Sequence, residues 1–169
     1  ASNTAVGAFA LDAATGSENT ALGAGSLGDA SNTGTKNTAV GVDALNSTTS
    51  GSQNTVIGYE AGKTNETGGY NTFLGYRAGY TSNNSGNALN TCVGYQAGYS
   101  LTTGSQNCFV GPSEPSNGYG AGHFVTTGTK NTILGGYNGN QGGLDIRETN
   151  GNIVLSDGDG NAVGYWQGG

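Results

Sequence analysis

The sequence predicts an all-β fold, a parallel β-roll or solenoid of about 17-residue repeats that ends in a C-terminal β element. Three observations lead there. A phrase Asn-Thr-apolar-apolar-Gly returns at near-constant spacing, and self-similarity at so short a period marks a stacked array. Gly makes up 34 of the 169 residues, several times the usual share, and it falls in register with the phrase. Each phrase carries two adjacent apolar residues in a run too short for a helix and rich in Val, Ile, Thr and aromatics, so strands are favoured.

The leading asparagines are Asn3, Asn19, Asn37, Asn54, Asn71, Asn90, Asn107 and Asn131, with steps of 16, 18, 17, 17, 19, 17 and 24 residues. After each phrase come a short turn, an Ala-Gly or Ala-Leu segment and a polar loop. The loop ends in a Thr/Ser-Gly-Ser/Thr tract just before the next Asn. Glycines in these loops are expected to supply backbone angles closed to other residues. Two short strands per coil are expected, stacked coil on coil. Collagen is excluded, because Gly does not recur every third residue and Pro numbers only 2.

Side chains alternate across a strand. Three positions after each Asn stand Val6, Leu22, Val40, Ile57, Leu74, Val93, Val110 and Leu134. This aliphatic rank is expected to form the coil interior. Two positions after each Asn stand Ala5, Ala21, Ala39, Val56, Phe73, Cys92, Phe109 and Ile133, on the opposite face and also apolar. A strand apolar on both faces is buried on both, and a thin coil encloses little core. Association with copies of the same chain is therefore expected through this second face. Its growth from Ala to Phe suggests an inter-chain axis that widens along the chain.

Residues 1–140 read as the glycine-rich solenoid, with an irregular loop at 111–122 where Pro112 and Pro115 interrupt strand chemistry. Residues 141–169 read as a C-terminal β-hairpin cap. In it, 152–156 and 162–166 are strand-like and 157–161 is a turn. Asp157, Asp159 and Asn161 have the spacing that opens a calcium loop. Ala162 stands where that loop needs Gly and Gly168 where it needs Glu, so a turn is the preferred reading and no metal is assigned.

The formal net charge is −6, with five scattered basic residues, so there is no footprint for nucleic acid or anionic membrane. No apolar run reaches membrane-spanning length. The chain contains no Met, which suggests a mature fragment or a part of a longer chain. Cys92 and Cys108 fall on opposite faces of successive coils and are read as unpaired small hydrophobes.

The phrase NTAVG with a following Ala-Leu, repeated with TTGS-type loops, resembles the head repeats of YadA-like trimeric autotransporter adhesins. It is still more similar to bacteriophage tail-fibre repeats that precede an intramolecular chaperone of the endosialidase type. The tract NGNIVLSDGDGNAVGYWQGG resembles the segment that follows such repeats in fibres of phages from aquatic bacteria. The resemblance covers residues 3 to about 136 and 141 to 166. It implies a homotrimer of left-handed parallel β-rolls. The function implied is a structural virion fibre segment that projects toward the host and contacts a surface glycan or protein. The alternatives are a bacterial cell-surface adhesin head and a glycan-cleaving tailspike.

No catalytic residue or cofactor is assigned. Eleven acidic residues are spread thinly, and His123 is the one His, so a Ser or Cys nucleophile would have few partners. Glu60 shares its repeat position with Asp43, Arg77 and Gln96, a variety that suits a solvated surface. Loops leaving a rigid scaffold carry binding, so Pro112, Pro115 and Tyr119 are the first receptor-contact candidates. Tyr59, Tyr76 and Tyr95 occupy one position in successive coils and are the second set, read as an aromatic ladder or a platform for sugar rings. Tyr80 and Tyr99 share another position. An ice-binding solenoid would need an exposed Thr array, and Thr4, Thr20, Thr38, Thr55 and Thr72 share the face of the aliphatic rank, so they are expected largely inward or at the edge.

Overall fold

The computed structural model describes residues 2–12, 14–29, 31–113 and 118–168. The described residues form a parallel β-solenoid of about eight turns without helices. Fourteen strands follow in chain order. The first seven are β1 (Thr4–Val6), β2 (Thr20–Leu22), β3 (Thr38–Val40), β4 (Thr55–Ile57), β5 (Gly68–Gly69), β6 (Thr72–Leu74) and β7 (Gly86–Asn87). The rest are β8 (Thr91–Val93), β9 (Cys108–Val110), β10 (Thr132–Leu134), β11 (Asn140–Gln141), β12 (Leu144–Asp145), β13 (Asn152–Ser156) and β14 (Ala162–Gln167). Ten of them make one sheet in the order β1-β2-β3-β4-β6-β8-β9-β10-β13-β14.

Every repeat phrase becomes one rung of this sheet, paired parallel and in register, Thr55 opposite Thr72 and Phe73 opposite Cys92. The return side of the coil is bends and turns. Only β5 with β7 and β11 with β12 pair there, so the expectation of two strands in every coil is not met. The loops are too glycine-rich and too tightly turned to hold a second ladder. The tail is less of a departure than its sequence suggests. β13 pairs parallel with β10, and Asn152-Ile153-Val154-Leu155 acts as a further rung. β14 then folds back antiparallel on it through the turn at Asp157–Asn161.

The two strand faces are the reverse of the expectation. Ala21, Ala39, Val56, Phe73, Cys92, Phe109 and Ile133 are fully buried inside the coil. The rank Val6, Leu22, Ile57, Leu74 and Leu134 faces outward, with Leu74 44% exposed. Strand alternation is symmetrical, so it cannot say which side is inside. The following turn decides it, by curling toward the Ala–Phe rank. There Ala44, Ala61, Ala78, Ala97 and Ala121 complete the wall.

The growth from Ala to Phe is therefore an exchange of volume within one coil. Leu27 and Leu45 fill the coils whose strands offer Ala21 and Ala39. Where the strand offers Phe73 or Phe109, the facing position is Gly79 or Gly122. A Cβ on Gly79 would lie 2.6 Å from Phe73 Cε2 and Cζ, and one on Gly122 2.5 Å from Phe109 Cδ2. These facing positions are all left-handed, with φ of 49° at Leu27, 52° at Leu45 and 59° at Gly79. The large residue comes from one wall or the other, and total volume is kept.

Glycine also plays a role other than the one expected in the loops. Gly34, Gly51 and Gly104 do not have positive φ. They sit where a Cβ would strike the carbonyl of the next loop glycine (Gly51, Gly68 and Gly128). The left-handed angle is taken instead by the residue just before each Asn: Glu18, Lys36, Gln53, Tyr70, Leu89, Gln106 and Lys130, at φ of 55–62°.

The asparagines themselves form a buried column along the coils. Each Oδ1 accepts the backbone N–H of the next coil's Asn, at 3.0 Å from Asn54 N to Asn37 and 2.9 Å from Asn71 N to Asn54. Nδ2 donates to a loop carbonyl, as Asn54 does to Gly68 at 3.0 Å, except at Asn71, whose Nδ2 donates to Asn54 Oδ1 at 3.1 Å. A buried donor or acceptor without a partner costs free energy. Asn supplies both in one side chain, and this is why the phrase starts with it.

Candidate functional site

Two surfaces of the coil carry functional potential. The first is the outer face of the ten-stranded sheet. It has two ranks. One holds Thr4, Thr20, Thr38, Thr55, Thr72, Thr91, Cys108, Thr132 and Ile153, and Trp166 joins it by pairing with Ile153 on β14. The other is the aliphatic rank from Val6 to Leu134, continued by Leu155. Neither rank holds a charged residue. With strands about 4.8 Å apart, the face is roughly 40 Å long. Its aliphatic rank is a continuous apolar stripe, unlike the single exposed apolar residues usual on a surface. The threonines share this outward face, half-exposed or exposed, which reverses their expected inward placement. Cys92 lies in the core, where burial pushes its thiol pKa up, and Cys108 stands in the outer rank.

The second surface is the turn side, built by the residues after each strand Gly. Those glycines hold φ of 131–145° from Gly7 to Gly94, out of reach of other residues. The next residue points out. Tyr59 and Tyr76 stack at 5.5 Å between ring centroids, and Tyr76 and Tyr95 at 5.1 Å, each pair within 8° of parallel. Beside them Tyr80, Tyr99 and His123 form another stack, at 5.0 and 4.9 Å. Both faces of Tyr76 and of Tyr99 are therefore covered by neighbouring rings, and these side chains offer edges and hydroxyls outward rather than flat platforms. His123 is the third rung of a ladder, 6% exposed, and burial lowers its pKa to about 4.

Arg77 lies between the stacks, its guanidinium carbon 5.2 Å from the Tyr76 centroid and 5.4 Å from that of Tyr80. Its Nε meets Glu60 at 2.6 Å, and Lys63 reaches Glu60 at 2.7 Å and Asp43 at 3.1 Å. Glu60 is thus buried between two cations, and the hydrogen bond from Lys63 holds its carboxyl below the usual range. Its position is a charge ladder, not the solvated site the sequence suggested. Asp43 and Glu60 are both acidic there, Lys63 bridges them, and Arg77 of the next coil completes the pairing of Glu60.

Pro112 is exposed, and Pro115 lies outside the described residues. Tyr119 does not belong to a free loop. The coil resumes at Tyr119-Gly120-Ala121-Gly122, with Gly98 N donating to Ala121 O at 2.9 Å. Tyr119 packs 4.5 Å from His123 and 4.6 Å from Phe124. The insertion is thus confined to 112–118. Asp157 turns its carboxylate into its own hairpin, accepting N–H groups from Asp159 at 3.0 Å and Asn161 at 2.9 Å. Among the described residues no group of three His, Cys, Asp or Glu could hold a metal ion.

Sequence reasoning missed three features: the burial of Glu60, the place of His123 in a stack, and a groove at Tyr70. The signal for the groove was present, since TGGYN stands before Asn71 where other coils read TGSQN or TGTKN. No family model, curated protein or solved structure matches this chain.

Proposed function

We propose that this chain is a structural segment of a bacteriophage tail fibre, a homotrimer that projects from the virion and contacts the host surface. The observation that carries the reading is the uncharged outer face. A coil whose own core lies on the other side still presents nine uncharged rungs, most of them a Thr beside an aliphatic side chain, and copies of the same chain are the partner that matches it rung for rung. The repeat's resemblance to tail-fibre segments supports the same assembly and an extracellular, virion location. In this reading the β13–β14 hairpin caps the stack, the chain performs no catalysis, and the insertion at 112–118 is a contact candidate. The head of a bacterial trimeric adhesin is the alternative with the same assembly.

The experiment is a charge placed on that face. Leu74→Asp should leave soluble chains that no longer assemble in size-exclusion chromatography with light scattering, because three buried carboxylates would meet. Tyr59→Asp on the turn side should assemble normally. Unimpaired assembly of Leu74→Asp would reject the face as the interface. The exposed Thr rank also favours a second reading, an ice-binding face. It requires a monomer that shows thermal hysteresis, which the assembled protein should lack.

A further inference from the structure

We propose that the groove beside Tyr70 is a binding site for a neutral saccharide. The proposal rests on the reading of the chain as a surface-contacting segment and gives that contact a place and a chemistry. Two consecutive coils depart from the repeat here. TGGY replaces the usual TGSQ before Asn71, and SGNAL precedes Asn90. The departures build the short parallel pair of Gly68–Gly69 with Gly86–Asn87, on the return side where other coils have only turns. Together with the preceding loop they enclose a groove of about 230 Å³. That is below the roughly 300–1,000 Å³ of clefts for drug-sized ligands, and it suits one or two sugar rings.

The lining matches that chemistry. Ser50, Ser52, Gln53, Thr67, Tyr70 and Asn87 supply hydroxyls, amides and one aromatic ring, and no charged residue lines the groove. Tyr70 is 43% exposed and, unlike the tyrosines of the two ladders, it stacks on no other ring among the described residues. An exposed ring that is not taken up by another ring can pack against an apolar sugar face. Gln53 Nε2 donates to the Tyr70 hydroxyl at 2.9 Å, which steadies the ring and leaves its O–H free to donate. Among the described residues the side chains of Ser50 and Asn87 have no hydrogen-bond partner, whereas Thr67 is bound to Asn84 O at 3.0 Å. Gly86 holds φ of +80° with open space where a Cβ would stand, so the backbone stays accessible at the rim. Hydroxyl and amide groups around one ring read a neutral polyol. An anionic glycan would find no cation there.

The test uses the full chain, with its assembly state checked by native mass spectrometry. A panel of neutral bacterial oligosaccharides, with sialylated and uronate-containing ones as controls, is screened by saturation-transfer NMR and titrated. At least one neutral glycan should bind. Tyr70→Gln, which installs the residue used at the same left-handed position by Gln53 and Gln106, should weaken it at least tenfold without changing the melting temperature. Asn87→Ala should weaken it as well, and Tyr70→Phe should retain most of the binding. Replacing 112–118 by a Gly-Ser linker should leave it unchanged. The proposal is overturned if an intact assembly binds no neutral glycan, if only charged glycans bind, or if Tyr70→Gln binds as tightly as the parent. A chain that does not assemble refutes the fibre reading separately.

Discussion

The exchange of volume between the two walls of the coil makes a quantitative prediction. Phe73 is fully buried, and Phe73→Ala should cost about 3–5 kcal/mol, the usual range for emptying an aromatic site. Gly79→Leu alone should also destabilise. Its Cβ would lie 2.6 Å from the Phe73 ring, an overpacking of about 1–3 kcal/mol. The left-handed angle of +59° adds about 1–2 kcal/mol for a residue with a side chain. The double variant Phe73→Ala with Gly79→Leu rebuilds the arrangement of Ala21 with Leu27 and Ala39 with Leu45. The clash and most of the cavity then vanish together, leaving mainly the backbone cost of about 1–2 kcal/mol. Thermal unfolding followed by circular dichroism should place the double variant above Phe73→Ala in melting temperature. Its loss should fall short of the sum of the single losses by at least 2 kcal/mol, well beyond the roughly 0.5 kcal/mol scatter of independent sites. Losses that simply add would refute the exchange.

Other expectations test the rest of the scaffold. Asn71→Leu removes an acceptor for the Asn90 N–H and a donor to Asn54. It should cost about 1–3 kcal/mol, because the buried Asn90 N–H loses its acceptor while Asn54 Oδ1 keeps the backbone N–H of residue 71, and hydrogen exchange should rise at Asn90 before distant coils. The His123 pKa of about 4 lies below the ordinary 6.5 because of burial. The unfolded chain therefore binds the proton more readily. Stability should be full above pH 6.5 and fall by up to about 3 kcal/mol as pH drops toward 4. His123→Phe, which keeps the stack, should flatten that part of the pH profile of the melting temperature. Assembled protein should also resist heat and detergent far better than it refolds, because in-register pairings between distant residues form slowly. Recovery of more than half the assembly after dilution from denaturant would argue against this.

The repeat period, the strand positions and the parallel stacking were all legible in the sequence, because the Asn and Gly of each phrase are fixed by contacts between coils. The interior was not. Ala5 and Val6 are equally apolar neighbours, and only the direction of the turn after Gly7 separates them. The Phe73–Gly79 pairing is visible in the sequence once the turn is known, since large and small residues alternate six positions apart. The two tyrosine ladders follow from identical placement in successive coils. Glu60 was misread because Arg77, 17 residues on, becomes its neighbour only through the stack. Tyr119 was assigned to the loop because the insertion hides that Tyr119-Gly120-Ala121-Gly122 repeats the pattern of Tyr95-Gln96-Ala97-Gly98.

In the proposed trimer, copies of this chain cover the outer sheet face. Sedimentation equilibrium at micromolar concentration tests it most directly. The proposed trimer should sediment as a single species with the mass of three 16.7 kDa chains, unchanged by dilution through the accessible range. A well-folded species of one chain would contradict it.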